Sequence, residues 1–150
     1  MNIIGFNYHK VIADRSPSFK APYHIDTNIE FLSIEKEKNA LLKEAEILPT
    51  QFKFTLTYYI PDEKAKDKKG QKQGEILFEG TLLLSASQEE SRDLLKSWKK
   101  KEIPQHLRQP LFNTILRKCT LRALALQEEI NLPSHINIPL LEFKKNENTK

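Results

Sequence analysis

The feature that most constrains this chain is a long amphipathic helix, predicted from about Pro110 to Ile130. Its apolar residues recur at steps of four and three, which places them in one stripe along the helix: Phe112, Leu116, Cys119, Ala123, Leu126 and Ile130. In a chain of 150 residues, a stripe this long has to pack against a sheet or another subunit. It offers neither a nucleophile with a base nor a metal cage, so we expect function to reside in a surface.

The composition is that of a soluble globular protein, with 39% hydrophobic and 29% charged residues. The length suits a single domain, expected over residues 1–143, followed by a basic, flexible tail over 144–150. A single cysteine, Cys119, is typical of a reducing compartment, and no apolar run approaches the roughly 20 residues that span a bilayer. These features predict a cytoplasmic protein that does not insert into membranes.

Four segments show the alternation of a β-strand: Ile3–Ala13, Asn28–Ile34, Gln51–Ile60 and Glu75–Ala86. The expected apolar face combines Ile4, Phe6, Tyr8 and Ile12 of the first with residues of the third and fourth: Phe52, Phe54, Leu56, Tyr58, Ile76, Phe78, Leu82 and Leu84. Gly80 interrupts the fourth segment, which indicates a bulge or a close backbone approach.

Two helices are predicted after the strands. Ser87 with Glu90 three residues later is typical of a helix start, and this first helix carries Trp98. The second is the amphipathic helix, with Pro110 in its first turn. This order predicts an α+β fold, a four-stranded antiparallel sheet with two C-terminal helices packed on one face. The segment Glu35–Glu46 is left open between a short helix and a strand arm.

The polar residues do not predict an enzyme. The four histidines are scattered, with no pair at the spacing of metal ligands, and the adjacent carboxylates Glu89-Glu90 and Glu128-Glu129 fall at helix ends or on exposed faces. The sequence therefore predicts no catalytic residues, no metal site and no cofactor.

The aromatic residues outside the regular elements are the candidates for binding. Phe19 and Tyr23 lie in the segment Asp14–Thr27, which Pro17 and Pro22 stiffen. Such a segment beside a sheet can form a lid over a groove, although Phe19 can equally plug the edge of the core. Trp98 is either an anchor between helix and sheet or a ligand contact at one end of the groove.

Three features in this order resemble the SecB family of protein-export chaperones. Ser18-Phe19-Lys20-Ala21-Pro22 is similar to the Ser-Phe-Glu-Ala-Pro turn that ends the family's first strand, and Gly80 matches a glycine of its last strand. Leu111-Phe112 opens the helix, and Pro133 and Pro139 resemble the family's Pro-x-Leu-x-Leu-x-Pro ending, among Ile136, Ile138 and Phe143.

The resemblance implies a holdase that binds unfolded or nascent polypeptides in apolar grooves without ATP and assembles as a dimer of dimers, a homotetramer. The expected groove residues are Phe19, Tyr23 and Trp98, and the expected oligomer contacts are Leu121 and Leu124, which lie off the main stripe. Family members that deliver cargo to the export motor carry acidic surfaces and a Cys-rich, metal-binding tail. This chain has a net charge of +4 and a tail without Cys or His, so delivery to the motor does not carry over.

Two alternatives remain open from the sequence. The basic segments Lys64–Lys72, Lys99–Lys101 and Arg117–Arg122 would suit a nucleic-acid or ribosome-associated module if they converged on one face. A chaperone dedicated to one partner, such as a toxin–antitoxin pair, would share the fold and surface of a general holdase.

Overall fold

A computed structural model describes residues 1–37 and 45–141. It contains, in chain order, β1 (Asn2–Arg15), β2 (His24–Ile34), β3 (Glu46–Pro61), β4 (Lys69–Ala86), α1 (Gln88–Trp98) and α2 (Gln105–Ile130). The strands form one antiparallel sheet in the order β1-β4-β3-β2, and the helices follow the strands, which confirms the predicted α+β class. Most of the segment Glu35–Glu46, together with Phe143 and the tail 144–150, lies outside the described residues.

The two central strands form the core face of the sheet. Residues that pair across an antiparallel ladder point to the same face, so the pairs Phe54–Phe78 and Leu56–Ile76 set the side on which the apolar residues lie. The predicted face is confirmed on both strands by residues with no exposed surface: Phe52, Phe54, Leu56, Tyr58, Ile76, Phe78, Leu82 and Leu84.

The apolar face predicted for β1 is wrong at two positions. Phe6 and Tyr8 pack against the core, but Ile4 is 52% exposed and Ile12 pairs with Leu77 on the opposite face. The register of β1 against β4 shifts between residues 3 and 5 and again between 8 and 10. Each extra residue of such a bulge reverses the alternation of the strand, which a strict period of two cannot anticipate.

Gly80 is the point of close approach that the sequence predicts. It pairs with Tyr8 on one side and Phe52 on the other, beside the second shift of β1. A Cβ atom at this position would stand 2.8 Å from the Phe52 ring, closer than side chains tolerate. With no side chain in the way, the rings of Phe6 and Phe52 meet across β4, 5.2 Å apart.

The two helices cover different parts of the sheet. Residue Ser87 caps α1: its hydroxyl accepts from the Glu90 amide at 3.2 Å and its own amide donates to the Glu90 carboxylate at 2.9 Å, as predicted. Helix α1 packs against β3 and β4, whereas α2 packs against β1 and β4. The outer strand β2 therefore lies at the margin of the helical layer.

The helix α2 begins at Gln105, one turn before the predicted start, so Pro110 lies inside the helix and not in its first turn. Its buried stripe is Leu111, Ile115, Cys119, Ala123 and Leu126. The prediction that Phe112 and Leu116 belong to this stripe is wrong, because each stands about 100° around the helix from its buried neighbour. Phe112 is half-buried and Leu116 is 38% exposed.

We predict that Ile115→Ala lowers the free energy of unfolding by about 2–5 kcal/mol, because Ile115 is fully buried and its removal leaves a cavity. The matched change Leu116→Ala should cost about 1 kcal/mol or less, since water already reaches that side chain. Urea denaturation measures the free energy of unfolding of both variants, and a larger loss for Leu116→Ala than for Ile115→Ala would place the stripe where the sequence put it.

Candidate functional site

Three aromatic rings meet where the chain passes from β1 to β2. The rings of Phe19 and Tyr23 lie 5.8 Å apart, and both contact Tyr58 of β3, at 6.0 and 6.5 Å. Tyr58 is fully buried, Phe19 is half-buried against the core and Tyr23 is 40% exposed. The sequence predicted the first two as binding residues, and the structure brings them together with one face open to solvent.

The irregular segment that carries these rings is residues 16–23, shorter than the predicted Asp14–Thr27. The buried Gln73 of β4 holds it: its side-chain nitrogen donates to the Lys20 carbonyl at 3.0 Å, and its oxygen accepts from the Lys20 amide at 3.2 Å. The Ser16 amide donates to the Gln73 carbonyl at 2.9 Å, and the guanidinium of Arg15 stands 5.3 Å over the Phe19 ring. Nothing in its Lys- and Gln-rich surroundings indicated this role for Gln73.

The hydroxyl of Tyr58 joins the cluster to the end of α2. It donates to the Pro133 carbonyl at 2.6 Å and accepts from Nε2 of Gln127 at 2.8 Å. Burial raises the pKa of Tyr58 to about 12, so the hydroxyl remains a donor throughout the physiological pH range. In the sequence, the one sign that Gln127 has a structural role is that a polar side chain occupies a core-facing position of the helix.

A second cluster lies beside the other end of β2. Trp98, at the end of α1, lines a cavity of about 320 Å³ together with Phe31 of β2 and Phe112 of α2, whose rings meet edge to face at 5.3 Å. The rest of the lining mixes apolar and charged residues: Glu30, Leu32, Lys101, Glu102, Ile103 and Arg108. Nζ of Lys101 stands 4.7 Å over the Trp98 ring. Trp98 is thus separate from Phe19 and Tyr23.

A half-buried apolar band connects the two clusters. On the core face of β2, Ile25, Ile29 and Phe31 pair with buried residues of β3 and remain partly exposed themselves. Opposite them, Phe112 and Leu116 lie on the side of α2 that faces β2. We call this band, together with Phe19, Tyr23 and Trp98, the apolar strip. From His24 to Phe31 it extends about 23 Å, at 3.3 Å per strand residue.

The sidedness of α2 follows from its contacts. On its β1 side, Nζ of Lys118 stands 5.2 Å over the Phe6 ring and its carbonyl accepts from the Tyr8 hydroxyl at 3.2 Å. On the other side, Phe112 meets Phe31 of β2. The two predicted oligomer residues fall elsewhere: Leu121 points outward and is 64% exposed, and Leu124 is half-buried.

The titratable side chains near the core are not poised for reaction. Burial raises the pKa of the Tyr8 hydroxyl and of the Cys119 thiol to about 12 each, so both remain protonated at neutral pH. Within residues 1–37 and 45–141, no three His, Cys, Asp or Glu side chains are grouped so that they could hold a metal ion. In that same part of the chain, no helix is long and apolar enough to cross a membrane.

The basic residues are dispersed and partly engaged. Lys69 pairs with Asp26, Lys72 pairs with Glu75 at 2.8 Å, and Lys101 and Lys118 each stand over an aromatic ring. These four lysines belong to β4, to the turn after α1 and to α2.

We predict that Gln73→Ala costs about 1–3 kcal/mol of stability and frees residues 16–23, because it removes the two hydrogen bonds that hold the Lys20 backbone. Gln71→Ala, at an exposed position of the same strand, is the control and should change neither. Urea denaturation measures the free energy of unfolding, and limited proteolysis measures how accessible residues 16–23 are to cleavage. An unchanged cleavage rate after Lys20 would show that Gln73 does not hold the segment.

Comparisons with protein-family models, with curated proteins and with solved structures found no match to this chain. What the apolar strip binds therefore follows only from its geometry and chemistry.

Proposed function

We propose that this protein is an ATP-independent holdase of the SecB type, which binds unfolded or nascent polypeptides along the apolar strip. The clients would be kept soluble for export or for one dedicated partner, such as a toxin–antitoxin pair. The observation that carries the proposal is a row of partly exposed aromatic and aliphatic side chains beside an edge strand that the helices cover only in part.

The edge of β2 offers a way to bind any sequence. In the described ranges 1–37 and 45–141, strand β2 pairs with β3 on one side only, so in this part of the chain the backbone N–H and C=O groups of its outer side have no strand partner and could receive an added strand. Hydrogen bonds to these groups do not depend on the client's side chains. A client strand added beside β2 would alternate its side chains, and every second one would face the strip.

The aromatic clusters supply the preference for apolar segments. A buried aromatic side chain contributes about 150–250 Å² of contact, or about 4–6 kcal/mol at 25 cal/mol per Å². Ordering a flexible client opposes much of this gain. Two or three anchors, at Phe19, Tyr23 and the Trp98 cavity, would leave about 8 kcal/mol, which is micromolar affinity and permits release without ATP.

The proposed assembly is a homo-oligomer, a dimer of dimers. Leu121 is 64% exposed on the outer side of α2, between Arg117 and Arg122, and such a leucine is costly unless another subunit covers it. Leu124, one turn further, would extend the contact. Several strips on one assembly would hold different parts of one client and so tighten binding through effective concentration.

A nucleic-acid module has less support. Its basic residues lie on separate elements, and several are already engaged with carboxylates or aromatic rings. Phosphate binding would weaken steeply at about 0.5 M salt, whereas apolar binding of a client would persist.

We predict that Phe19→Ala/Tyr23→Ala abolishes most of the protein's ability to suppress aggregation of a chemically unfolded client, because it removes one aromatic end of the strip. Light scattering measures the aggregation of the client after it is diluted out of denaturant. The matched control is Ile4→Ala/Val11→Ala, which removes two comparably exposed apolar side chains from β1 at the opposite edge. If the first variant stays folded and oligomeric yet protects as well as wild type, clients bind elsewhere.

A second prediction concerns assembly. Leu121→Asp should dissociate the oligomer at micromolar concentration, because it places a charge within an apolar contact. Asn113→Asp adds the same charge at another exposed position of α2 and should leave the mass unchanged. Multi-angle light scattering distinguishes them, and a wild-type protein that is strictly monomeric would refute the proposed interface.

A further inference from the structure

The segment Ile136–Leu141 presents an unusual amount of apolar surface. Ile136 is 43% exposed, Ile138 55%, Leu140 83% and Leu141 82%. The first three alternate with Asn137 and Pro139, a period of two that suits an extended chain beside a strand. In composition and shape this segment is what the apolar strip is proposed to bind.

The chain folds back where α2 ends. Asn131 adopts a left-handed conformation, with φ of 55°, and the amide of Leu132 donates to the Gln127 carbonyl at 2.9 Å. Leu132 is buried at 6% exposure, next to Gly74 of β4. These contacts stop the helix and reverse the direction of the chain.

After the reversal, the chain lies on the β2-facing side of α2. The Pro133 carbonyl accepts from the Tyr58 hydroxyl, and Nδ1 of His135 lies 3.0 Å from Nε2 of Gln127, eight residues earlier in the sequence. Residue 135 therefore stands beside residue 127, at the Phe19–Tyr23 end of the apolar strip. The segment Ile136–Leu141 starts from this point.

The length of the segment matches the strip. From His135 to Leu140 an extended chain covers about 16 Å, at 3.3 Å per residue. From Gln127 back to Leu116 the helix covers the same distance, about 16 Å at 1.5 Å per residue. A segment that continued along α2 would thus place Leu140 beside Leu116, whose side chain is 38% exposed.

We propose that Ile136–Leu141 of the same chain occupies the apolar strip when no client is bound and competes with clients for it. This rests on the proposed function, since the strip is the client site. In the structure the side chains of the segment are largely exposed, so occupation of the strip is a second position, which the segment would reach by swinging along α2 from His135. Because the segment is tethered at the end of the strip, its effective concentration there is high. If it occupies nine tenths of the strips, the apparent client affinity falls about tenfold.

A disulfide tests where the segment goes. In a Cys119→Ser background, Leu116→Cys/Leu140→Cys should form an intramolecular disulfide under mild oxidation, because a disulfide requires Cα atoms within about 7 Å. The control pair Arg117→Cys/Leu140→Cys places the helix cysteine at an exposed position about 100° around α2, where the proposed path does not pass. Non-reducing gels and mass spectrometry separate intramolecular from intermolecular products, and circular dichroism checks folding.

Closure of the 116–140 pair alone supports the proposal. Equal closure of both pairs, or closure of neither, would show that the segment does not lie along this side of α2. An intermolecular 116–140 product would assign the strip to the segment of a second copy and overturn the same-chain assignment.

Client binding is measured separately, with a fluorescent peptide rich in Leu and Phe. The oxidised 116–140 protein should lose binding at least about tenfold relative to its reduced form. The variant Ile138→Ser/Leu140→Ser should bind about tenfold more tightly than wild type. If the disulfide closes but no form binds the peptide, the proposed function fails while the position of the segment stands. If peptide binding is the same in both redox states, the segment does not compete.

Discussion

The structure depends on an apolar face that is larger than the helices can cover. The sheet has four strands, whereas α1 packs mainly against β3 and β4 and α2 mainly against β1 and β4. Neither helix packs mainly on the outer strand β2. The core side of β2 is left half-covered. The apolar strip is the consequence of this mismatch.

Tyr58 links the parts that border the strip. Its ring supports Phe19 and Tyr23, and its hydroxyl is shared between Gln127 and the Pro133 carbonyl. One buried residue thus positions an end of the strip and the start of the C-terminal segment together. Burial lowers the pKa of His135, which favours its neutral form in the contact with Gln127. Under the proposed function, a client that displaced either element would act on the other through Tyr58.

The sequence predicts which segments form strands and helices well. It predicts poorly which side of β1 and of α2 is buried. Strict alternation in β3 and the Ser87–Glu90 capping box are local signals, and both are confirmed. In α2 the apolar pairs 111–112 and 115–116 allow two stripes, and only packing selects one. Bulges in β1 reverse its faces without changing its composition. The separation of Trp98 from Phe19 depends on the strand order, which no local pattern encodes.

An exposed edge strand with apolar neighbours is ordinarily an aggregation site, and this chain limits the hazard in two ways. Along β2, Glu30 and the ion pair of Asp26 with Lys69 place charged groups at the edge, which disfavours pairing between sheets. On the core face, the tethered segment Ile136–Leu141 would shield the strip without closing it permanently. A weak, tethered occupant yields to a client that offers more apolar contact, so exchange would require no ATP. Under this proposal the same apolar surface would be hidden in the free protein and used in the complex.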